Sequence, residues 1–348
     1  MKVFREALAA AIVMTFAVWG HAATDYFVWR DNPTPVSPYT SWDIAATSIQ
    51  DAVDLAVAGD TVYVTNGVYD TGGRIHSTYP VTNRVYATKA INIISMNGPA
   101  ATIIKGVADP DDVTGCGPAA VRCASLSSAT LIGFTLTNGY TLKSDKGVYY
   151  DNAGGVFLRD NAVVSNCVVA GNTCWKTGGG TYTLNSGKIY ASLIIGNEAF
   201  GSAGGVSSFD TSSDSSGALW SFCTLTNNTA PGGGGGWLNG GMIDHCMIAG
   251  NAATVSGGGG IVLKGKLFNS VVSGNTCGSS GGSGGGGIYM LSDSARDVIA
   301  SNCIIRGNAV VSSGGTGGGA YLLPDSGTVI DCVISNNSAT YGGGSACG

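Results

Sequence analysis

The sequence predicts an all-β solenoid in which short strands stack coil upon coil. Two periodic features carry this prediction. A short apolar segment that ends in Asn recurs at intervals of 23 to 33 residues, and a pair of glycines opens the next strand after each variable loop. This spacing is typical of a solenoid with one coil per repeat and one loop of variable length per coil.

Glycine is abundant and charge is scarce. Of the 348 residues 56 are Gly, and the 17 basic and 22 acidic residues make up 11% of the chain, against about 25% in ordinary domains. The glycines keep no three-residue period and 44% of the residues are hydrophobic, which excludes collagen and argues against disorder. The net charge is −5 and no Lys/Arg cluster occurs, so we expect no nucleic-acid partner.

The first 23 residues have the features of a cleaved signal peptide. Lys2 and Arg5 precede an apolar run, and Ala22 and Ala23 follow it as small residues. The run is about 12 residues long and therefore too short to span a bilayer, so a membrane anchor is the weaker alternative. We expect residues 1–23 to be removed, the mature chain to have no transmembrane helix, and the protein to be extracellular or on the outer-membrane surface.

Residues 24–129 are expected to form an N-terminal cap and the first coils. Apolar residues at helical spacing over 49–56, with Gly59 after them, predict a short amphipathic helix. Such a helix would cover the open end of the first coil, whose apolar side chains and strand edges need a cover. The strands predicted next are 60–69, 90–95 and 102–106.

Residues 130–348 hold the Asn repeat. An aliphatic residue stands three positions before each Asn, and Cys or Ser stands five before. These two positions share strand parity, so stacked coils place them on one inward face. Stacked side-chain amides hydrogen-bond along a column, so we predict a structural ladder, with Asn138 as a possible earlier member. Its seven residues are Asn172, Asn197, Asn228, Asn251, Asn275, Asn308 and Asn337.

The glycine pairs are expected where the chain enters a strand, because glycine permits a positive φ and a close approach of the neighbouring coil. The paired motif reads Gly-Gly-Val/Ile followed by Val/Ile/Leu-x-x-Asn. It resembles the right-handed parallel β-helix of the pectin-lyase-like superfamily, and most of all the repeats of the chlamydial polymorphic outer-membrane proteins, which carry an aromatic residue where this chain has an aliphatic one. The resemblance implies a right-handed parallel β-helix with an N-terminal capping helix.

Few residues point to chemistry. His76 and His245 are the two histidines after residue 23, and no Cys-x-x-Cys occurs, so the usual zinc ligand sets are missing. Five of the ten cysteines fall on the Cys/Ser position and are interpreted as packing residues. Cys116 and Cys123 lie in a polar insertion and are either a loop disulfide or free thiols.

Calcium is the one cofactor that the sequence leaves open. Asp109, Asp111 and Asp112 could bind it through carboxylate oxygens, although a solvated acidic turn is the simpler interpretation. Asp244 lies in an Ile-Asp-His string that echoes pectate lyases, but the repeat register explains its neighbour Cys246 as a ladder residue. Glycoside hydrolases need paired carboxylates, and Asp244 and Asp331 fall three coils apart.

These observations favour a non-enzymatic, exported β-helix surface or adhesin-like protein that presents an interaction face to a cell-surface or polysaccharide ligand. A polysaccharide lyase or glycoside hydrolase of the same fold is the alternative, and a structural module whose active part lies beyond Gly348 is a third. The sequence stops just after a Gly cluster, so we expect the repeat to be incomplete at the carboxyl end, or the last coil to self-associate.

Overall fold

In the computed structural model, the described residues are 22–76, 80–144, 151–210, 217–278, 284–291, 297–325 and 327–347. They form a right-handed parallel β-helix with one α-helix, which confirms the predicted fold class. The predicted signal peptide lies outside these residues except for its last two, Ala22 and Ala23. No helix in the described part of the chain is long and apolar enough to cross a membrane.

A complete coil contains four short strands, which we call the A-, B-, C- and D-strands in chain order. In one coil they are Val156–Arg159, Val163–Ser165, Val168–Ala170 and Thr173–Cys174. Each strand pairs in parallel with its equivalents in the coils before and after it. The A- and B-strands belong to one 20-stranded sheet, the C-strands form a 10-stranded sheet and the D-strands a 7-stranded one.

The strand bounds follow this order. The A-strands are Thr82–Ala87, Val121–Ser127, Val156–Arg159, Thr181–Leu184, Val206–Phe209, Ile288–Met290, Ala320–Leu322 and Ser345–Cys347. The B-strands are Asp25–Val28, Thr61–Val64, Asn92–Ser95, Thr130–Ile132, Val163–Ser165, Lys188–Tyr190, Leu219–Ser221, Ile299–Ser301 and Thr328–Ile330. Two long strands, Gly236–Asp244 and Ile261–Phe268, supply an A- and a B-strand each.

The remaining strands close each coil. The C-strands are Gly67–Tyr69, Thr102–Lys105, Thr135–Thr137, Val168–Ala170, Leu193–Ile195, Thr224–Thr226, Met247–Ala249, Val271–Ser273, Ile304–Arg306 and Val333–Ser335. The D-strands are Thr173–Cys174, Glu198–Ala199, Thr229–Gly232, Ala252–Gly258, Thr276–Cys277 and Ala309–Val310, with Gly284–Gly285 paired beside them. Arg74–Ile75 pairs antiparallel to Thr82–Ala87, and Trp42–Ile44 is a 3-10 turn.

The predicted capping helix is Ile49–Leu55. The Ser48 hydroxyl accepts a hydrogen bond from the Gln50 N–H at 3.2 Å, which satisfies one of the free N–H groups at the helix start. Ile49 and Val53 are buried in the same apolar core as the first strands. The helix therefore covers the apolar cross-section at this end, as the amphipathic pattern predicts.

The core is one continuous apolar column inside the coils. From Thr135–Thr137 onward the central residue of each C-strand points into it, and Val169, Leu225 and Ile248 are all fully buried. The last described coil is less covered, because Val333 is 60% exposed and Ile334 is only partly buried. Self-association through this coil stays a prediction.

One A-strand places hydroxyl groups inside the core. Thr181 and Thr183 are fully buried, and neither Oγ1 atom has a hydrogen-bond partner among the described residues. A buried hydroxyl without a partner costs stability.

We therefore expect Thr183→Val to raise the free energy of unfolding by about 1 kcal/mol, measured by denaturant titration. Thr224→Val on the outer face is the matched control, and a less stable Thr183→Val variant would contradict the prediction.

Candidate functional site

The seven predicted ladder asparagines lie in one column at the turn between the C- and D-strands. The Asn251 Oδ1 atom accepts hydrogen bonds from the Asn228 backbone N–H (3.0 Å) and the Asn228 Nδ2 atom (2.9 Å). The Asn251 Nδ2 atom donates to Asn275 Oδ1 (3.0 Å) and to the Leu225 carbonyl (2.9 Å). The same bonds join the other members from Asn172 to Asn337.

Because each amide has two N–H donors and an oxygen with two acceptor positions, these bonds use the whole side chain of Asn251. Asn251 is also 1% exposed. Asn251 therefore has no free polar atom that faces a ligand, and a stabilising role for the asparagines stays our prediction.

The possible membership of Asn138 is wrong by one residue. The Gly139 N–H, and not that of Asn138, donates to Asn172 Oδ1, at 2.8 Å. Asn138 instead has a φ of 57° and corresponds to the residue before each ladder Asn. That position has positive φ in every coil with a ladder Asn and holds Gly or Asn, a signal that the sequence analysis missed. Its members are Gly171, Gly196, Asn227, Gly250, Gly274, Gly307 and Asn336.

The glycine pairs face the ladder across the narrowest part of the coil. A Cβ atom on Gly235 would lie 2.3 Å from the Gly260 carbonyl oxygen and 3.0 Å from Asn251 Nδ2. A Cβ atom on Gly259 would lie 2.3 Å from the Thr276 carbonyl oxygen. Close approach, and not positive φ, therefore requires glycine at these two positions.

The Cys/Ser column forms a second ladder beside the first. The Cys223 N–H donates to Cys246 Sγ at 3.4 Å, and the Cys246 N–H donates to Ser270 Oγ at 3.0 Å. Thiol and hydroxyl thus accept the same bond from the preceding coil, which explains why both residue types occupy this position. Burial raises the pKa of Cys167 to about 11 and of Cys303 to about 12, so both thiols stay protonated and are poor nucleophiles.

The nine cysteines from Cys116 to Cys332 are all free thiols. The disulfide alternative for Cys116 and Cys123 is therefore wrong. Cys123 lies at the top of the ladder, with its Sγ atom 3.4 Å from Asn172 Oδ1, while Cys116 lies beside Thr141.

In the acidic insertion, carboxylates accept hydrogen bonds from neighbouring groups of the same turn. The two carboxylate oxygens of Asp109 accept the N–H groups of Asp111 (2.9 Å) and Ala119 (3.0 Å). Hydrogen bonds from Thr114 lower the pKa of Asp112. No cluster of three metal-ligating side chains exists within the described ranges. The Asp109 carboxylate therefore braces a turn, and calcium binding by Asp109, Asp111 and Asp112 stays a prediction.

Asp244 and His245 lie at the turn between the B- and C-strands. The His245 Nδ1 atom is 2.9 Å from Asp244 Oδ2, and the Asn269 Nδ2 atom donates to Asp244 Oδ1 at 2.8 Å. Hydrogen bonds from Asn269 and His245 outweigh partial burial and lower the pKa of Asp244. Asp331 belongs to the equivalent turn three coils further on, so it forms no carboxylate pair with Asp244.

A groove on the outer face of the A-strands is the best-formed candidate for a ligand site. Tyr182, Ser207 and Trp237 stand in register on three successive coils. The small Ser207 side chain leaves a gap between the two aromatic side chains, and the gap opens into a space of about 220 Å³. We call this the aromatic groove; it is lined by Thr177, Tyr182, Ser202, Ser207, Ser208, Phe209, Trp237 and Asn239.

The lining of the aromatic groove is neutral. Among the described residues it combines three aromatic side chains with hydroxyl groups and one amide, and these residues include no Asp, Glu, His, Lys or Arg. One carboxylate, that of Asp210, directly follows the groove residue Phe209 and is buried. The lining therefore suits binding through stacking and neutral hydrogen bonds, but it provides no acid–base pair.

The sequence analysis did not find this groove. The sequence does carry a pattern that belongs to it, because aromatic residues recur at one outward position of the A-strands. They are Phe157, Tyr182, Trp237, Tyr289 and Tyr321. Phe157 stacks on Tyr182 with ring centroids 5.5 Å apart, and Tyr289 stacks on Tyr321 at 5.4 Å. The spacing between these residues is irregular because the loops vary, so the column is visible only once the coils are aligned.

Several solved structures are similar to this chain. A pectate lyase matches with a TM-score of 0.47 and 14% identity, over 92% of this chain and 80% of that one. A rhamnogalacturonan lyase matches with a TM-score of 0.40 and 13% identity, over 92% and 86%. A pectin methylesterase solved with a hexasaccharide matches with a TM-score of 0.40 and 14% identity, over 85% and 81%.

No protein-family model matches the sequence, and no curated protein matches it. The parallel sheets confirm the β-helix that the resemblance implies. The likeness to the chlamydial repeats stays a prediction.

Proposed function

We propose that this chain is an exported, non-enzymatic, adhesin-like β-helix that binds a neutral saccharide in the aromatic groove. The observation that carries the proposal is the neutral lining, in which Tyr182, Phe209 and Trp237 surround hydroxyl and amide groups. Aromatic faces pack against the C–H faces of sugar rings, while hydroxyl and amide groups exchange hydrogen bonds with sugar hydroxyls.

The rigid coil supports this proposal. Ser207 lies in the middle of a ladder of parallel strands, and its neighbours are fixed by backbone bonds to the coils on both sides. A ligand therefore meets a site that is already formed, which reduces the ordering cost of binding. Two variable loops on neighbouring coils, one with Thr177 and one with Ser202, border the groove, so specificity can change while the coil stays the same.

The arrangement of titratable groups argues against the enzyme alternative. Two carboxylates must flank one glycosidic bond in most glycoside hydrolases, and none is among the described residues that line the groove. The Asp244–His245 pair lies on a turn at another edge of the coil. Buried thiols such as Cys303 are protonated at neutral pH because burial raises the thiol pKa to about 12.

The test is binding to neutral polysaccharides, with galactomannan, dextran and laminarin as probes and polygalacturonate as the charged comparison. We expect at least one neutral probe to bind, and Trp237→Ala to weaken that binding about tenfold or more, measured by isothermal titration calorimetry. Trp29→Ala is the matched control, because Trp29 is exposed in the N-terminal coil and should leave binding unchanged.

Two results would overturn the proposal. Binding that is equal in wild type and in Trp237→Ala would place the ligand elsewhere. Release of ultraviolet-absorbing unsaturated products from polygalacturonate would show lyase activity and bring back the enzyme alternative.

A further inference from the structure

The turn between the B- and C-strands has left-handed backbone in eight successive coils. Its φ values lie between 45° and 81° at Gly133, Asn166, Ala191, Phe222, His245, Asn269, Asn302 and Asp331. Gly, Asn and Asp tolerate this conformation, whereas a bulky residue such as Phe is disfavoured in it. Backbone preference therefore does not explain Ala191 and Phe222. Phe222 and His245 are the two aromatic residues of the column.

These two residues form an exposed stack. Their ring centroids are 5.0 Å apart with an interplanar angle of 22°, and Phe222 is 65% exposed. A chain of polar side chains fixes the His245 ring. The His245 Nδ1 atom lies 2.9 Å from Asp244 Oδ2, and the Asn269 Nδ2 atom donates to Asp244 Oδ1. The Asn302 Nδ2 atom in turn donates to Asn269 Oδ1 at 2.7 Å. The stack adds nothing to the core and is held in place on the surface.

The second face of the Phe222 ring is not covered by His245. His245 covers one face of Phe222, and the opposite face points toward the preceding coil, where the column residue is the exposed Ala191. Coils are spaced about 4.8 Å apart, which is also close to the distance between stacked rings. The methyl group of Ala191 therefore leaves room for one further ring against Phe222. We call this space the corner slot.

We propose that the corner slot is a second binding site, which takes a single neutral sugar ring stacked on Phe222. Ser165 and Tyr190 stand in register on the outer face beside it, and the exposed Asn166 occupies the coil before Ala191. Hydroxyl and amide groups both donate and accept hydrogen bonds, which matches sugar hydroxyls. The choice of ligand class rests on the proposed function, but the site is separate from the aromatic groove.

The left-handed backbone at Phe222 allows a test that separates an effect on binding from an effect on folding. Phe222→Asn puts a favoured left-handed residue at this turn, as in three other coils, so the variant should fold and keep or raise its Tm, by about 1–2 °C. The same change removes the stacking face. Ala191→Asn is equally compatible with the turn and fills the corner slot with an amide.

The experiment measures saturation-transfer NMR signals of methyl glucoside, methyl galactoside and methyl mannoside in the Trp237→Ala background, where the aromatic groove is disabled. We expect at least one glycoside to keep its signal there, and both Phe222→Asn and Ala191→Asn to weaken its binding about tenfold without lowering Tm.

Loss of all glycoside binding in Trp237→Ala alone would overturn the corner slot and leave the aromatic groove standing. Glycoside binding that survives Phe222→Asn in that background would also overturn it. Conversely, polysaccharide binding that is lost in Phe222→Asn but unchanged in Trp237→Ala would support the corner slot and overturn the groove as the primary site.

Discussion

Asn251→Ala should lower the free energy of unfolding by on the order of 3–5 kcal/mol. The substitution removes the acceptor of two Asn228 donors, the backbone N–H and Nδ2, and the donor to the Leu225 carbonyl. Each of these groups is buried, and a buried polar group that loses its partner costs about 1–3 kcal/mol. Denaturant titration followed by circular dichroism measures the change.

Two variants sharpen this prediction. Asn92→Ala, on an exposed outer position, is the control and should change stability by less than about 0.5 kcal/mol. Asn251→Asp keeps the size but places a carboxylate against the Leu225 carbonyl that now accepts a hydrogen bond.

Burial and the facing carbonyl should raise the folded-state pKa of this Asp above its unfolded value of about 3.9. A raised folded-state pKa means that stability is greatest below the unfolded value and is lost as the pH rises through the folded one. Asn251→Asp should therefore be less stable at pH 7 than at pH 4, relative to wild type.

For Asn251→Ala, an unchanged free energy of unfolding together with lost ligand binding would make Asn251 a ligand residue and contradict the stabilising role.

Gly235→Ala should be as damaging as the loss of a ladder amide, at roughly 3 kcal/mol or more, or should prevent folding altogether. The added Cβ would lie 2.3 Å from the Gly260 carbonyl oxygen, which is backbone and cannot rotate away, and 3.0 Å from Asn251 Nδ2. Relief requires the coils to separate locally, and that breaks the bonds on both sides. Expression yield in the soluble fraction and thermal unfolding by circular dichroism measure the effect.

Gly274→Ala is the control for this prediction. Gly274 has a φ of +61°, but a Cβ there meets nothing within 4 Å. Its cost is therefore only that of a left-handed alanine, about 1 kcal/mol. If the two alanine variants were equally stable, close approach would not be the reason for the glycine at 235.

The repeated residue pattern was sufficient to predict the coil. Contacts between neighbouring coils repeat, so each repeat needs the same residue type at the same place: an amide at Asn251, an aliphatic residue at Ile248 and a small side chain at Cys246. Such repeated requirements are visible as a pattern even without a structure. The capping helix was also predictable, because the helical spacing of Ile49 and Val53 can be recognised within one short segment.

The glycine pairs and the start of the ladder were predicted less well. Positive φ and close approach are both reasons for glycine, and the sequence cannot distinguish them at Gly235. Only the distance to the Gly260 carbonyl oxygen identifies close approach. Asn138 fits the Asn spacing, but the backbone places Gly139 in the ladder register, because the neighbouring residue takes the left-handed turn.

Both candidate sites could be identified only from the tertiary structure. Tyr182 and Trp237 are neighbours only because two coils of different loop length bring their A-strands into register around Ser207. Phe222 and His245 likewise meet across one coil height at a turn whose strain no sequence pattern shows. Inward positions are repeated because every coil buries the same core, whereas outward positions are free to vary, so a site made from outward side chains on different coils emerges only when the coils are stacked.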